Sequence, residues 1–264
     1  MKKILILGAG GFIGSYLAEK LTADNIVMSI IKPGIDVTDA DAVRNMLEQS
    51  QPDFVINCIS YGGNQDITSR DPGIVAKNLA MYYNFKCNSD LFGKYINIGS
   101  GVEADNNNNS AYAVSKRMIT KDLDYNKFTN LRLYGCFGSH ERDSRLLKRF
   151  LATDGPFILK DDREFDYISI SDFYRIIRYV LTNNTYRSMN CVYYKKRTLS
   201  EFLRLFCDIN NIDKEVIVES TSNNSYTGES STLDIMQSQG LELYGIMHGL
   251  KEYMQWRYFM LQDV

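Results

Sequence analysis

Residues 3–21 read KILILGAGGFIGSYLAEKL. Lys3–Leu7 reads as a buried strand, and Phe12, Ile13, Leu17 and Leu21 then fall on one face of a helix. Between them Gly8, Gly11 and Gly14 are spaced GxxGxxG, with Gly10 an extra glycine inside the turn. One glycine permits the tight turn, one lets a pyrophosphate approach the backbone, and one lets helix and strand pack closely. The helix start presents N–H groups and a positive dipole end to an anion. This stretch predicts a strand–turn–helix unit that holds a dinucleotide on Gly8, Gly11, Phe12, Ile13 and Gly14.

The alternation continues downstream. Ile26–Ile31 reads as a strand, and Asp39 caps a helix to about Gln49 with Val43, Met46 and Leu47 inward. Phe54–Cys58, Tyr95–Ile98 and Leu131–Tyr134 read as further strands. Helices from Pro72 to about Ser89 and over Ala111–Leu123 separate them. Such alternation predicts an α/β fold with a doubly wound parallel Rossmann sheet, ligands lying beyond the carboxyl ends of its strands. The second half is less regular. It carries helices at Arg145–Leu151, Asp172–Leu181 and Leu199–Asp208, strands at Cys191–Tyr194 and Glu215–Val218, and one or two helices over Leu241–Leu261. Asn106–Asn109 and Ser220–Ser231 read as loops. We expect a nucleotide-binding domain over 1–155, rejoined by about 165–195, and a smaller C-terminal α/β substrate-binding lobe over 156–264.

The 264 residues suffice for a sizeable core, and 44% hydrophobic with 23% charged residues excludes disordered and fibrous classes. A net charge of −2 without a basic stripe argues against a nucleic-acid partner. The five cysteines form no CxxC pair, so neither a metal site nor a disulfide framework is expected. No apolar run approaches the roughly 20 residues of a membrane span. The apolar start is short and broken by glycine, unlike a signal peptide, so a cytoplasmic location and no membrane partner are expected.

Tyr112-Ala-Val-Ser-Lys116 is YxxxK. On a helix the two side chains share one face, about 5–6 Å apart. An ammonium one turn away favours a phenolate and makes the phenol a usable proton donor near neutral pH. The same lysine can bond the ribose of a nicotinamide cofactor. Ser100 lies 12 residues earlier in INIGSG, at the end of the fourth predicted strand, where its hydroxyl can bond a substrate carbonyl. Ser100, Tyr112 and Lys116 together resemble the catalytic set of short-chain dehydrogenases/reductases. The GxxGxxG spacing resembles their extended branch, the NAD-dependent epimerase/dehydratase family.

That resemblance implies further roles. Cys58, Ile59 and Ser60, after Asn57, match the family's cofactor-lining segment, and Asn78 stands where the family often has an asparagine. Asp36 and Val37 match its adenine-edge contact, Asp36 alternatively being a turn residue. Leu131–Gly135 resembles the strand leading into the substrate lobe, and Phe165–Ile168 followed by Asp172 resembles an Arg-Asp-Phe, hydrophobic, Asp stretch of nucleotide-sugar enzymes. The second strand ends Ser29-Ile30-Ile31-Lys32, without the carboxylate that favours NAD. Lys32 either pairs with a 2′-phosphate or is simply solvated. NADP(H) is therefore favoured, with NAD(H) the alternative.

Extended members act on nucleotide-diphosphate sugars, and the residues after Ser100 narrow the reaction. Dehydratases place Asp-Glu directly after the hydroxyl residue; here stand Gly101 and Val102, with Glu103 out of register. Fucose synthases need a cysteine where Val102 stands and a histidine in the substrate lobe; His140 reads as a loop residue. The chain most resembles the nucleotide-sugar 4-ketoreductases of the CDP-paratose/abequose synthase type. Ser100, Gly101 and Tyr112 would meet the sugar. Arg145 and Arg163 are candidates for the diphosphate, or else surface charges. The alternatives are a 4-epimerase with bound NAD and a non-catalytic NAD(P)-sensing protein. Homodimerisation through the helices at 71–89 and 111–124 is an open expectation.

Overall fold

The computed structural model describes residues 1–31, 34–63, 71, 73–183 and 187–262. In chain order its first elements are β1 (Lys3–Leu7), α1 (Phe12–Leu21), β2 (Ile26–Ile30), α2 (Ala40–Ser50), β3 (Phe54–Asn57), α3 (Gly73–Lys86), β4 (Lys94–Ser100), α4 (Ala111–Asp122) and β5 (Phe128–Leu133). There follow β6 (Cys136–Phe137), α5 (Leu146–Ala152), β7 (Phe157–Leu159), β8 (Ile168–Ser169), α6 (Ile170–Thr182) and β9 (Ser188–Asn190). The last are α7 (Leu199–Asn210), β10 (Val216–Val218), α8 (Ser231–Ser238) and α9 (Ile246–Gln262).

The main sheet runs β2-β1-β3-β4-β5-β9, parallel from β2 through β4. Ile4, Leu5, Ile6 and Leu7 are at most 1% exposed, as a strand covered on both faces requires. Leu7 sits opposite Ile30 on one side and Asn57 on the other. The chain steps from β1 to β2, then crosses to β3 on the other flank of β1. This reversal is the topological switch point, where a ligand crevice opens beyond the strand ends. Leu5, Val43, Leu47, Val55, Phe85, Tyr95 and Phe128 pack the core beneath it.

The chain divides into two compact units, Met1–Arg132 with Asn184–Met189, and Leu133–Asn183 with Asn190–Val264. The division falls well before the expected 155, and the returning piece is shorter than 165–195. The cause is early commitment to a second core. β6 pairs with β8, and Phe137, Leu147 and Phe150 pack with Phe157, Phe202, Phe206, Leu250 and Tyr253. In this second unit β7 pairs with β10, Ser169 caps α6, and a Thr198–Glu201 capping box starts α7.

Three local readings change. The strand expected at Cys191–Tyr194 lies upstream as β9; Cys191 and Val192 are buried (1% and 0% exposed) without being strand. The fifth strand begins at Phe128, because Thr129 and Asn130, polar in sequence, are wholly buried. The helical stretch expected from Leu241 starts only at Ile246, after Gly245 turns the chain at φ +85°.

Candidate active site

The first unit brings four segments to the carboxyl edge of the sheet. After β1, the Gly8 and Ala9 N–H groups both donate to Ile30 O (3.0 and 3.1 Å), and Gly11 N–H closes the turn on Gly8 O at 3.0 Å. A β-carbon on Gly14 would stand 2.2 Å from Gly8 O, so α1 starts against the turn only because Gly14 has none. Gly11 caps α1 and offers no side chain to its first N–H groups. Phe12 and Ile13, half-buried, and the buried Gly14 form that first turn. An open helix N-terminus behind a glycine turn is a cradle into which a pyrophosphate fits.

After β3, the chain runs beside the same turn. Cys58 N–H donates to Leu7 O at 3.0 Å, and a β-carbon on Gly8 would lie 2.9 Å from Ile59 Cγ1. Asn57 Oδ1 accepts from Ile59 N–H (2.9 Å) and turns the segment outward. Burial pushes the Cys58 thiol up to about 12, against the opposing pull of the Lys116 ammonium, and so favours the neutral thiol. Cys58 and Ile59 are half-buried and Ser60 is exposed.

Asn78, on α3 and 1% exposed, ties this segment to α4. Its Oδ1 accepts from Tyr61 N–H, while its Nδ2 donates to Tyr61 O and to Ser115 Oγ, each at 2.9 Å. Ser115 Oγ in turn donates to Tyr112 O at 2.7 Å. Asn78 therefore acts through the backbone, holding the segment after β3 and the tyrosine helix together.

Tyr112 and Lys116 share one face of α4, with Lys116 Nζ 5.8 Å from the Tyr112 ring centre. Lys116 is 3% exposed and donates to Ile98 O on β4 at 3.1 Å. Tyr112 is half-buried, and a β-carbon on Gly63 would lie 3.3 Å from its Cζ, so residue 63 borders the phenol end. β4 ends at Ser100, which caps a 3-10 turn over Gly101–Glu103. That turn packs against α4, so Ser100 and Gly101 are carried to the helix of Tyr112 and Lys116.

The remaining expected residues divide. Asp36 accepts from Thr38 N–H (2.9 Å) and Thr38 Oγ1 (2.8 Å), which is the turn role. It also lies close enough to Tyr61 to help burial raise that phenol, against Lys77. The Val37 side chain is in the core, and its carbonyl accepts from Asn84 Nδ2 at 3.1 Å. Lys32 lies outside the described residues. In the second unit Arg145, exposed at the start of α5, donates to Cys136 O at 2.7 Å. Arg163 is half-buried, and its carbonyl accepts from Leu199 N–H at 3.0 Å. The ring of His140 lies 5.4 Å from that of Trp256. Sequence reasoning missed Gly63, Ser115, and the bonds of Glu103. Only Ser115 carried a signal, lying between Tyr112 and Lys116. Among the described residues no acidic, histidine or cysteine cluster could hold a metal, and no helix is long and apolar enough to cross a membrane.

The model of the NAD dependent epimerase/dehydratase family matches residues 4–191. A dTDP-4-dehydrorhamnose reductase of Mycolicibacterium smegmatis is 39% identical over 61 residues, a match spanning 23% of this chain and 18% of that protein. The fold is similar to a GDP-L-fucose synthetase from Naegleria fowleri bound to NADP (TM-score 0.78, 17% identity, 99% of this chain and 94% of that one). It is similar also to a UDP-glucose 4-epimerase from Thermotoga maritima (TM-score 0.78, 16% identity, 98% and 99%).

Proposed function

The chain belongs to the NAD dependent epimerase/dehydratase family, and from that premise we propose that it reduces the 4-keto group of a nucleotide-activated 4-keto-6-deoxyhexose with NAD(P)H. The observation that carries the reading is the Ser100 turn packed on the helix that presents Tyr112 and Lys116. The α1 start and the Cys58–Ser60 segment would hold the cofactor. NADP(H) is favoured by the missing carboxylate after β2, and the Naegleria fowleri relative was crystallised with NADP. When bound, the reduced nicotinamide supplies the hydride.

The chain's own residues manage the proton. Ser100 Oγ holds the carbonyl oxygen by a hydrogen bond, and Tyr112 Oη gives that oxygen its proton as the ketone becomes an alcohol. Lys116, anchored on Ile98 O, holds a cofactor ribose hydroxyl and keeps its charge beside the tyrosine ring. Both carboxylate oxygens of Glu103 accept internal hydrogen bonds. The carboxylate nearest Ser100 in sequence is thus engaged, which favours ketone reduction over dehydration. Arg145 or Arg163 would meet the diphosphate.

The test is NADPH oxidation by the purified protein with a panel of nucleotide-linked 4-keto-6-deoxyhexoses. Turnover of at least one is expected. NADPH binding without oxidation by any of them overturns the reductase reading in favour of a sensor. Interconversion of 4-hydroxy sugars without net oxidation would make the protein an epimerase.

A further inference from the structure

Glu103 has no part in the proton transfer, yet its carboxylate is the joint that holds Ser100. Its side chain is 1% exposed. Oε1 accepts the Ser100 N–H at 2.8 Å. Oε2 accepts Asn130 Nδ2 at 2.8 Å and Arg132 Nε at 2.9 Å, both on β5. Asn130 Oδ1 in turn accepts Asn97 Nδ2 at 2.7 Å, returning the network to β4. The brace passes directly beneath the preceding residue, for a β-carbon on Gly99 would lie 2.6 Å from both Glu103 Oε1 and Asn130 Oδ1.

A three-residue 3-10 turn is a poor anchor by itself; its Ser100 Oγ contact to Val102 N–H is long, at 3.5 Å, and a capping box closes it, the Ser100 side chain accepting the Glu103 N–H while the Glu103 carboxylate accepts the Ser100 N–H. Charge-assisted bonds from a buried carboxylate are shorter and stronger. A buried ion pair is nevertheless a weak source of stability, because desolvation offsets its attraction. Its place under Ser100 is better explained by position than by stability. We infer that Glu103 is a positioning residue: it fixes the turn so that the Ser100 hydroxyl meets the substrate carbonyl. The inference rests on the reductase reading for its chemistry, but not for its geometry.

Kinetics and structure test it separately. Glu103→Gln keeps an oxygen for the Ser100 N–H but loses the charge facing Arg132. Its kcat, counted per NADPH-binding site, falls roughly 10-fold, and that of Glu103→Ala roughly 100-fold, with NADPH affinity unchanged. In a Ser100→Ala background, Glu103→Gln costs no further kcat, because its effect passes through the missing hydroxyl. A merely structural role would lower the fraction of NADPH-binding sites rather than kcat per site, and would multiply with Ser100→Ala; that result overturns the inference. A crystal structure of Glu103→Ala without substrate should show Ser100 Oγ displaced from Val102 N–H, and an unmoved Ser100 also overturns it. If Glu103→Ala does not fold, Glu103→Gln carries both tests. Should the wild type reduce no keto sugar while Ser100 moves in the variant, the reductase reading fails and the positioning role stands.

Discussion

At Gly14 a single methyl group decides whether α1 can start where it does. A β-carbon there meets Gly8 O at 2.2 Å, a backbone atom with no flexible tip to yield. Gly14→Ala should weaken NADPH binding at least 10-fold and cost about 1–3 kcal/mol of stability, read by fluorescence titration and urea unfolding. Tyr112→Phe removes one oxygen; kcat should drop by about two to four orders of magnitude while NADPH binding is kept. Glu141, in the second unit, gives a pH signature. It is 5% exposed and accepts from Tyr253 Oη at 2.7 Å; burial raises its carboxyl to about 7. Between the ordinary value of 4.5 and about 7 the folded chain keeps a proton that the unfolded chain has lost. Stability therefore falls as pH rises through that window, by about 3 kcal/mol at most at about 1.4 kcal/mol per pH unit. Glu141→Gln should flatten this slope in urea unfolding between pH 5 and 8, and an unchanged slope would count against it.

Among elements, α3 and α4 are joined to the β3 loop by one amide, Asn78. Asn78→Leu leaves Tyr61 and Ser115 without these partners and should cost about 1–3 kcal/mol, with hydrogen exchange quickening at Tyr61. Elements with a strong period were legible from sequence: β1, α1, α2 with its Asp39 cap, and α7 each carry apolar spacing or caps within one short window. β9 and β5 were misplaced for opposite reasons. Cys191 and Val192 are apolar but pack outside any strand, whereas Thr129 and Asn130 are polar but buried inside one. α8 went unseen because it buries only Leu233 and Met236 in a polar stretch. Burial in these places is decided by distant neighbours, which a local pattern does not contain.

For the molecule as a whole, a cofactor that binds only the folded first unit should stabilise it by mass action. NADPH at 100 times its dissociation constant is worth about 2.7 kcal/mol, a shift of several degrees in melting temperature, with hydrogen-exchange protection gathering at residues 8–13 and 58–61. No shift with either NADPH or NADH would remove the basis of the functional reading. By itself the sequence determined the order of strand, glycine turn and helix, and the pairing of Tyr112 with Lys116, because spacing along a helix or across a turn is a property of neighbouring residues. It did not determine where the first unit ends, nor what holds Ser100. Those rest on β6 pairing with β8, on Glu103 meeting Asn130 and Arg132, and on Asn78 reaching Ser115. Such contacts join residues far apart in the chain, and they exist only once the strand order of the sheet has brought them side by side.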